Sequence, residues 1–273
     1  MEALSGNHVT IVFYGKVEDQ TGNPVVNAVV SFDVRVLNGY ESTVKRGQQT
    51  TDANGFFTIS GYKGQDLTVI PQKEGYTLGT TRTLFTYSHL SEGYFVPDAG
   101  NPTVIKMWKL QGADHLIHYQ TEVRVPIDGT PVTFDFQTGQ RVQTGGDVRV
   151  RIETTPTPNV IQRYDWHATI QAVNGGLITS DADFDRMFMA PDSGYQPEIT
   201  NSYQRDIKPW STTFNGVFYF TSRNGSSYGK LGIEVLSDVV KNATVPVILN
   251  SYVNPASSRN LEIDPKLVTE AHP

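Results

Sequence analysis

The stretch TTDANGFFTIS, residues 50–60, decides how the N-terminal part of this chain folds. Asp52, Asn54 and Gly55 look like the start of a calcium loop, but a helix-loop-helix calcium site needs a bidentate carboxylate at its twelfth position, which here is Lys63. The run after Gly55 is apolar and rich in strand formers, with no helical period. The stretch therefore predicts a tight turn that leads into a strand.

Similar turns and strands lie on both sides of this stretch. Gly22 and Gly55 stand where a tight turn needs a positive φ, and the side chains of Asp19 and Asp52 can accept hydrogen bonds from the turn backbone. Residues 67–73 alternate between apolar and polar before the next glycine. Short strands separated by glycine-rich turns predict a β-sandwich.

The composition favours an all-β protein. The 273 residues include 13 Tyr, 13 Phe, 24 Gly and 15 Pro, which are strand and turn formers. The net charge of −6 is spread without a basic block, which argues against nucleic-acid binding. No apolar run reaches the roughly eighteen residues of a membrane-spanning helix, so we expect no transmembrane segment. Cysteine is absent, which excludes disulfides and thiolate metal sites.

The pattern predicts two antiparallel β-sandwich domains, at residues 8–111 and 112–265, followed by a tail at 266–273. The second domain contains several alternating runs, among them VRVRIE at 148–153, and we expect it to be a sandwich or a jelly roll. Asn224-Gly225 predicts a hairpin closed by a two-residue type I′ turn.

Three segments in a fixed order carry a family resemblance. They are GKVEDQTGNPVVNAVV at 15–30, TTDANGFFTISGY at 50–62 and LTVIPQKEGY at 67–76. Together they resemble the carboxypeptidase regulatory-like domain, a transthyretin-like and Ig-like β-sandwich common in bacterial surface and secreted proteins. The resemblance spans about residues 10–78. The chain departs from the family pattern at 33–50, which we expect to be a lengthened connection between strands.

The resemblance implies a non-enzymatic protein of the cell envelope or exterior, with a binding or structural role in assembly and a protein or glycan partner at the cell surface. Residues 1–10, MEALSGNHVT, show no export signal, so an exported location is an implication of the resemblance alone. The alternative is a carbohydrate-binding module in the second domain, with or without glycoside hydrolase activity. A third reading is a subunit of a larger assembly, which exposed strand edges would mark.

Two groups of residues are candidate binding sites. Asp181, Asp183 and Asp185 alternate in a predicted loop, as the oxygen ligands of a structural calcium would. We expect no other cofactor. Trp210 follows a proline in a predicted loop and is the candidate for stacking on a sugar ligand.

Four other residues are weaker candidates for metal binding or catalysis. Asp165 and His167 are two apart on a predicted strand, and His115 and His118 would converge only if their segment were helical. A catalytic zinc wants three protein ligands, and neither pair has a third nearby in sequence. We expect no catalytic residue in the chain.

Overall fold

The computed structural model describes residues 9–38, 41–80, 83–88, 91–154 and 163–272. The chain divides into two compact units, Met1–Gln111 and Gly112–Pro273. Both are built from packed β-sheets, which confirms the all-β sandwich prediction. The helices among the described residues are short 3-10 turns, and none of them has the length and apolar character to cross a membrane.

The described residues of the first unit form eight strands. They are β1 (Val9–Glu18), β2 (Val29–Asn38), β3 (Glu41–Thr50), β4 (Phe56–Gly64), β5 (Asp66–Gln72), β6 (Tyr76–Leu78), β7 (Leu84–Thr86) and β8 (Thr103–Lys109). One sheet has the order β4-β1-β8-β6 and the other β3-β2-β5-β7. The first and last strands, β1 and β8, pair in parallel, whereas the other pairs are antiparallel.

Alternating side chains of these strands form the core of the first unit. The ring of Phe13 is fully buried and lies 5.8 Å from the Phe57 ring and 4.7 Å from the Phe85 ring, measured between centroids. Ile59, two residues after Phe57, faces the same core and is also fully buried. Each of these apolar side chains stabilises the fold by about 2 kcal/mol through burial.

The turn at Asp52 has the structure that the sequence predicts. The Asp52 Oδ1 atom accepts hydrogen bonds from the backbone N–H groups of Asn54, at 2.8 Å, and Phe56, at 2.9 Å. Gly55 has φ +79°, a conformation that side chains with a Cβ rarely adopt. Asp19 holds its own turn with the same kind of bonds. This confirms that the quoted stretch is a structural corner.

The expectation for residues 33–50 is wrong. The segment is not a loop: β2 and β3 pair antiparallel at ten positions, from Val29–Thr50 to Asn38–Glu41. The reason lies in the composition of β3, ESTVKRGQQT, whose side chains are nearly all exposed. Without an apolar face the strand shows no alternation, and its pairing with β2 is what orders it.

In the second unit, eleven strands lie in the part of the chain that the structure describes. They are β9 (Leu116–Pro126), β10 (Val132–Asp135), β11 (Gln140–Val142), β12 (Val148–Thr154), β13 (Trp166–Ala172), β14 (Gly176–Thr179), β15 (Glu198–Tyr203), β16 (Thr213–Ser222), β17 (Ser227–Leu236), β18 (Thr244–Asn254) and β19 (Val268–Glu270). A five-stranded sheet of order β11-β10-β12-β13-β15 packs on a six-stranded sheet of order β14-β16-β17-β18-β9-β19.

The segment 266–273, predicted as a tail, contributes to this second sandwich. Its strand β19 pairs in parallel with β9, the first strand of the unit. The backbone N–H of Ala271 then donates to the carbonyl oxygen of His118 at 2.8 Å. This part of the chain therefore belongs to the edge of the six-stranded sheet.

The predicted hairpin at Asn224-Gly225 exists, but its turn differs from the prediction. Ser222 and Ser227 are the last paired residues of β16 and β17, so the loop has four residues instead of two. Arg223 and Asn224 both have positive φ, at 54° and 59°. The side chain of Arg223 accounts for the difference, because this backbone directs it to a buried carboxylate.

That carboxylate, Asp147, is the centre of a buried polar cluster that joins the two sheets. It is fully buried and accepts hydrogen bonds from the Phe136 N–H at 2.8 Å, the Ser222 hydroxyl at 2.6 Å and Arg223 Nε at 2.9 Å. Arg223 Nη2 also donates to Asp135 at 2.7 Å, and these hydrogen bonds raise the pKa of Arg223. These hydrogen bonds compensate the negative charge of the Asp147 carboxylate, which would be energetically costly to bury without partners.

Candidate functional site

The acidic loop, Asp181–Asp185, lies between β14 and β15 and ends in the 3-10 turn Phe184–Arg186. Its three carboxylates are exposed, and that of Asp183 pairs with the guanidinium of Arg186. Among the residues that the structure describes, no three His, Cys, Asp or Glu side chains lie where they could hold a metal ion. Calcium binding by this loop stays a prediction from sequence.

Trp210 packs against the core of the second unit instead of standing free on the surface. Its Nε1 donates to the carbonyl oxygen of Tyr164 at 2.9 Å, and its ring lies edge-on to the Tyr164 ring at 5.5 Å. The guanidinium of Arg163 lies over the ring at 5.7 Å. These contacts explain the position of Trp210 without a ligand, and its role in sugar binding stays a prediction.

Asp165 and His167 line one cleft of about 290 Å³, but their side chains contact different partners. Asp165 accepts hydrogen bonds from the backbone N–H of Arg205 at 2.7 Å and from its side chain, the shortest from Nη2 at 2.8 Å, and the side-chain bonding is the main reason that its pKa is lowered. His167 contacts the carboxylate of Glu153 on the neighbouring strand. Each residue is thus engaged by a separate partner on the sheet.

His118 lies on β9 and His115 directly precedes that strand, and both contact the edge strand β19. The Nδ1 atom of His118 is 2.8 Å from a carboxylate oxygen of Glu270, and its Nε2 is 2.9 Å from Asn250 Oδ1. His115 Nε2 is 2.8 Å from the Thr269 hydroxyl. The two histidines therefore fasten β19 to the sheet, and they do not converge on a common ligand.

Sequence reasoning missed a buried amine at Lys230. The residue is fully buried, and its Nζ donates to the carbonyl oxygen of Phe184 at 3.1 Å. The Nζ lies 5.0 Å from the centroid of the Phe184 ring and 5.3 Å from that of Tyr252. Burial lowers the pKa of Lys230 to about 8. From the sequence, a lysine in an alternating strand is expected to be solvated. The segment that covers it, at Phe184, is 46 residues away in sequence, so its contact with Lys230 cannot be predicted.

Sequence reasoning also missed the open edge at β3. In the first unit this strand is the end of its sheet, and its far side pairs with no described strand. The Arg35 carbonyl oxygen accepts a hydrogen bond from the backbone N–H of Gln65. The backbone N–H and C=O groups of the odd-numbered residues in β2 therefore point toward β5, and those of the even-numbered residues point toward β3. With the observed register, the odd residues of β3 then bond to β2. Its even residues, among them Val44 and Arg46, direct their backbone groups outward.

Two short sequence patterns associated with hydrolases occur in the chain. Gly225–Gly229 fits G-x-S-x-G, but its central Ser227 is buried at the start of β17, where a nucleophile elbow would require a strand-to-helix turn. Ser227 accepts a hydrogen bond from Gln137. His89 and Glu92 have the His-x-x-Glu spacing of zinc carboxypeptidases, and His89 lies outside the described residues.

Comparison with known proteins yields no family. No family profile matches the chain, and no curated protein matches it. Solved structures with some likeness include 3-chlorocatechol 1,2-dioxygenase from Rhodococcus opacus 1CP, at 17% identity and TM-score 0.28, covering 40% of this chain and 62% of that one. The shaft pilin spaA D295N mutant from Lactobacillus rhamnosus GG shows 10% identity and TM-score 0.26, covering 87% and 93%.

A DUF3823 family protein from Bacteroides uniformis ATCC 8492 shows 13% identity and TM-score 0.20, covering 88% of this chain and 96% of that one. Identities and TM-scores this low assign no function. The chain is therefore interpreted from its own geometry.

Proposed function

We propose that this chain is a non-enzymatic, exported β-sandwich protein with a binding or assembly role at the cell envelope, and that it docks a partner protein along β3. The observation that carries this is the open ten-residue edge of β3. Edge strands present unpaired N–H and C=O groups to which an extended segment can add as a further strand. The occupant would be an extended segment of the partner.

The side chains of β3 suit reversible docking. Lys45 and Arg46 carry positive charge, which protects an open edge from unspecific aggregation, and Val44 offers an apolar contact with 49% of its surface exposed. An acidic extended segment complements these charges. The resemblance to the carboxypeptidase regulatory-like domain and the exported location form part of the same proposal.

One pair of outer-face carboxylates, Glu153 and Glu198, is too widely separated for glycoside hydrolysis. On the outer face of the five-stranded sheet, Glu153 pairs across to His167, and Glu198 pairs with Gln171 four positions further along. This register places the Cα atoms of Glu153 and Glu198 about 16 Å apart. Glycoside hydrolases hold their two carboxyl groups within about 10 Å. Carbohydrate binding without hydrolysis remains the second candidate, carried by the polar face of the second unit.

Selection of displayed random decapeptides on the full chain tests docking at β3. We expect enriched peptides to bind the native protein and to lose at least tenfold in affinity with Val44→Pro, which removes an outward N–H without breaking a bond to β2. Val44→Thr keeps that N–H and is the matched control. Peptides that bind both variants equally would show that the β3 edge is not the docking site.

A further inference from the structure

The outer face of the five-stranded sheet carries a group of arginines. Arg149 and Arg151 are two apart on β12, so their side chains stand on the same face. In the register of the sheet, Arg149 lies opposite Gln171 and Arg151 opposite Thr169, both on β13. Arg141 lies on the edge strand β11, which β10 separates from β12. It is paired with the core residue Phe134, so it stands on the other face of the sheet, but it lines a cleft that Arg149 also lines. Arg151 Nε lies 3.9 Å from a carboxylate oxygen of Glu153, so the uncompensated positive charge here comes from Arg149 and Arg141, in a chain of net charge −6.

Arg149 is held in place by neutral partners. Its Nε donates to the Thr133 hydroxyl at 3.2 Å, and its Nη1 donates to Gln171 Oε1 at 3.2 Å. Among the described residues, no carboxylate lies within ion-pair distance of Arg149 or Arg141. The guanidinium is thus oriented while its charge is uncompensated.

Two clefts meet at this guanidinium. One has a volume of about 470 Å³ and is lined by Arg141, and the other has about 210 Å³ and is lined by Arg151, while Pro131 and Arg149 line both. The larger volume falls in the range of small-molecule sites. Of the described residues that line the two clefts, Glu198 is the acidic one.

We propose that this surface, the arginine cleft, binds a saccharide that bears a carboxylate, that is, a uronate. A planar guanidinium fork matches a carboxylate with two parallel hydrogen bonds, which an ammonium group cannot reproduce. The amide of Gln171 and the hydroxyl of Thr169 line the same cleft and can bond to sugar hydroxyls. This site is separate from β3, so either proposal can fail without the other.

The lining favours a short acidic saccharide over a nucleic acid. Among the residues that the structure describes, no aromatic side chain lines either cleft, so bases would find no ring on which to stack. A long polyanion would also meet Glu198 and the net negative charge of the chain. A single uronate needs only the local charge of the arginines.

Calorimetric titration of the full chain with trigalacturonate at low ionic strength tests this site. We expect binding that weakens at least tenfold with Arg149→Gln and also with Arg149→Lys, which keeps the charge but loses the fork. Arg141→Gln, at an exposed position, should weaken binding without affecting folding, and Glu198→Gln should strengthen it. Lys266→Gln, an exposed cation on a different segment, is the matched control and should leave the affinity unchanged.

The ligand controls separate the sources of binding. Fully methyl-esterified trigalacturonate, which has the same sugars without the charge, should bind at least tenfold more weakly. The proposal is overturned if the native chain does not bind trigalacturonate, or if Lys266→Gln weakens binding as much as Arg141→Gln does. It is also overturned if a single-stranded oligonucleotide of equal charge binds as tightly, because the surface would then recognise polyanions in general.

Discussion

Replacing Lys230 with methionine should stabilise this protein at neutral pH. Burial lowers the pKa of Lys230 from 10.5 to about 8, which corresponds to a cost of about 3 kcal/mol for keeping the amine charged in the native state. Methionine fills a similar volume, contacts the rings of Phe184 and Tyr252 well and carries no charge. We therefore expect the free energy of unfolding of Lys230→Met at pH 7 to rise by up to about 3 kcal/mol, measured by urea denaturation.

The pH dependence identifies the cause. Because the native pKa lies below the unfolded one, the native state binds fewer protons between about pH 8 and 10.5, and its stability rises with pH across that window. Between pH 7 and 9.5 the native protein should gain about 2 kcal/mol relative to Lys230→Met. Lys266→Met, at an exposed position, should show no such gain. If the advantage of Lys230→Met at pH 7 is absent, or if it does not shrink at pH 9.5, the amine is not destabilising in the way argued.

Three further perturbations follow from the contacts described. Arg223→Ala leaves the buried Asp147 without its ion-pair partner and should cost about 3–5 kcal/mol in urea denaturation, whereas Arg205→Ala, at an exposed pair, should cost much less; similar losses would contradict the burial argument. A Cβ on Gly175 would collide with a backbone oxygen of β16, so Gly175→Ala should cost at least about 2 kcal/mol, and Gly232→Ala, with ordinary contacts, markedly less. The predicted calcium site in the acidic loop is tested by the melting temperature in calcium and in EDTA: a calcium-dependent rise that Asp181→Asn abolishes would confirm the site, and equal melting temperatures would contradict it.

The sequence predicts the features that local chemistry controls. The turn at Asp52 follows from one glycine and one carboxylate, and the alternation of residues 148–153 matches β12. β3 escapes prediction because it has no buried face, so its conformation depends on a partner strand. The order of strands in the sheets cannot be predicted either, because it depends on contacts between distant parts of the chain. For example, β9 and β18 pair over ten positions although more than a hundred residues separate them.

For the candidate sites, too, the sequence predicts the local chemistry but not the contacts. The sequence identifies which side chains have suitable chemistry, such as Asp165 and His167, but it cannot show that each already has its own partner. Arg149 reads as an ordinary polar position in an alternating strand. Only the sheet places it beside Gln171 and leaves its charge uncompensated.

The parallel pairs at the ends of the two units affect how each would respond to mechanical load. In the first unit β1 pairs with β8, and in the second β9 pairs with β19, so the chain enters and leaves each unit through neighbouring parallel strands. Tension along the chain pulls such strands in opposite directions along their own axes. The hydrogen bonds between them are then loaded together instead of opening one after another. In an optical trap, the pair with four registered positions in the first unit should therefore yield at higher force than the pair with three in the second.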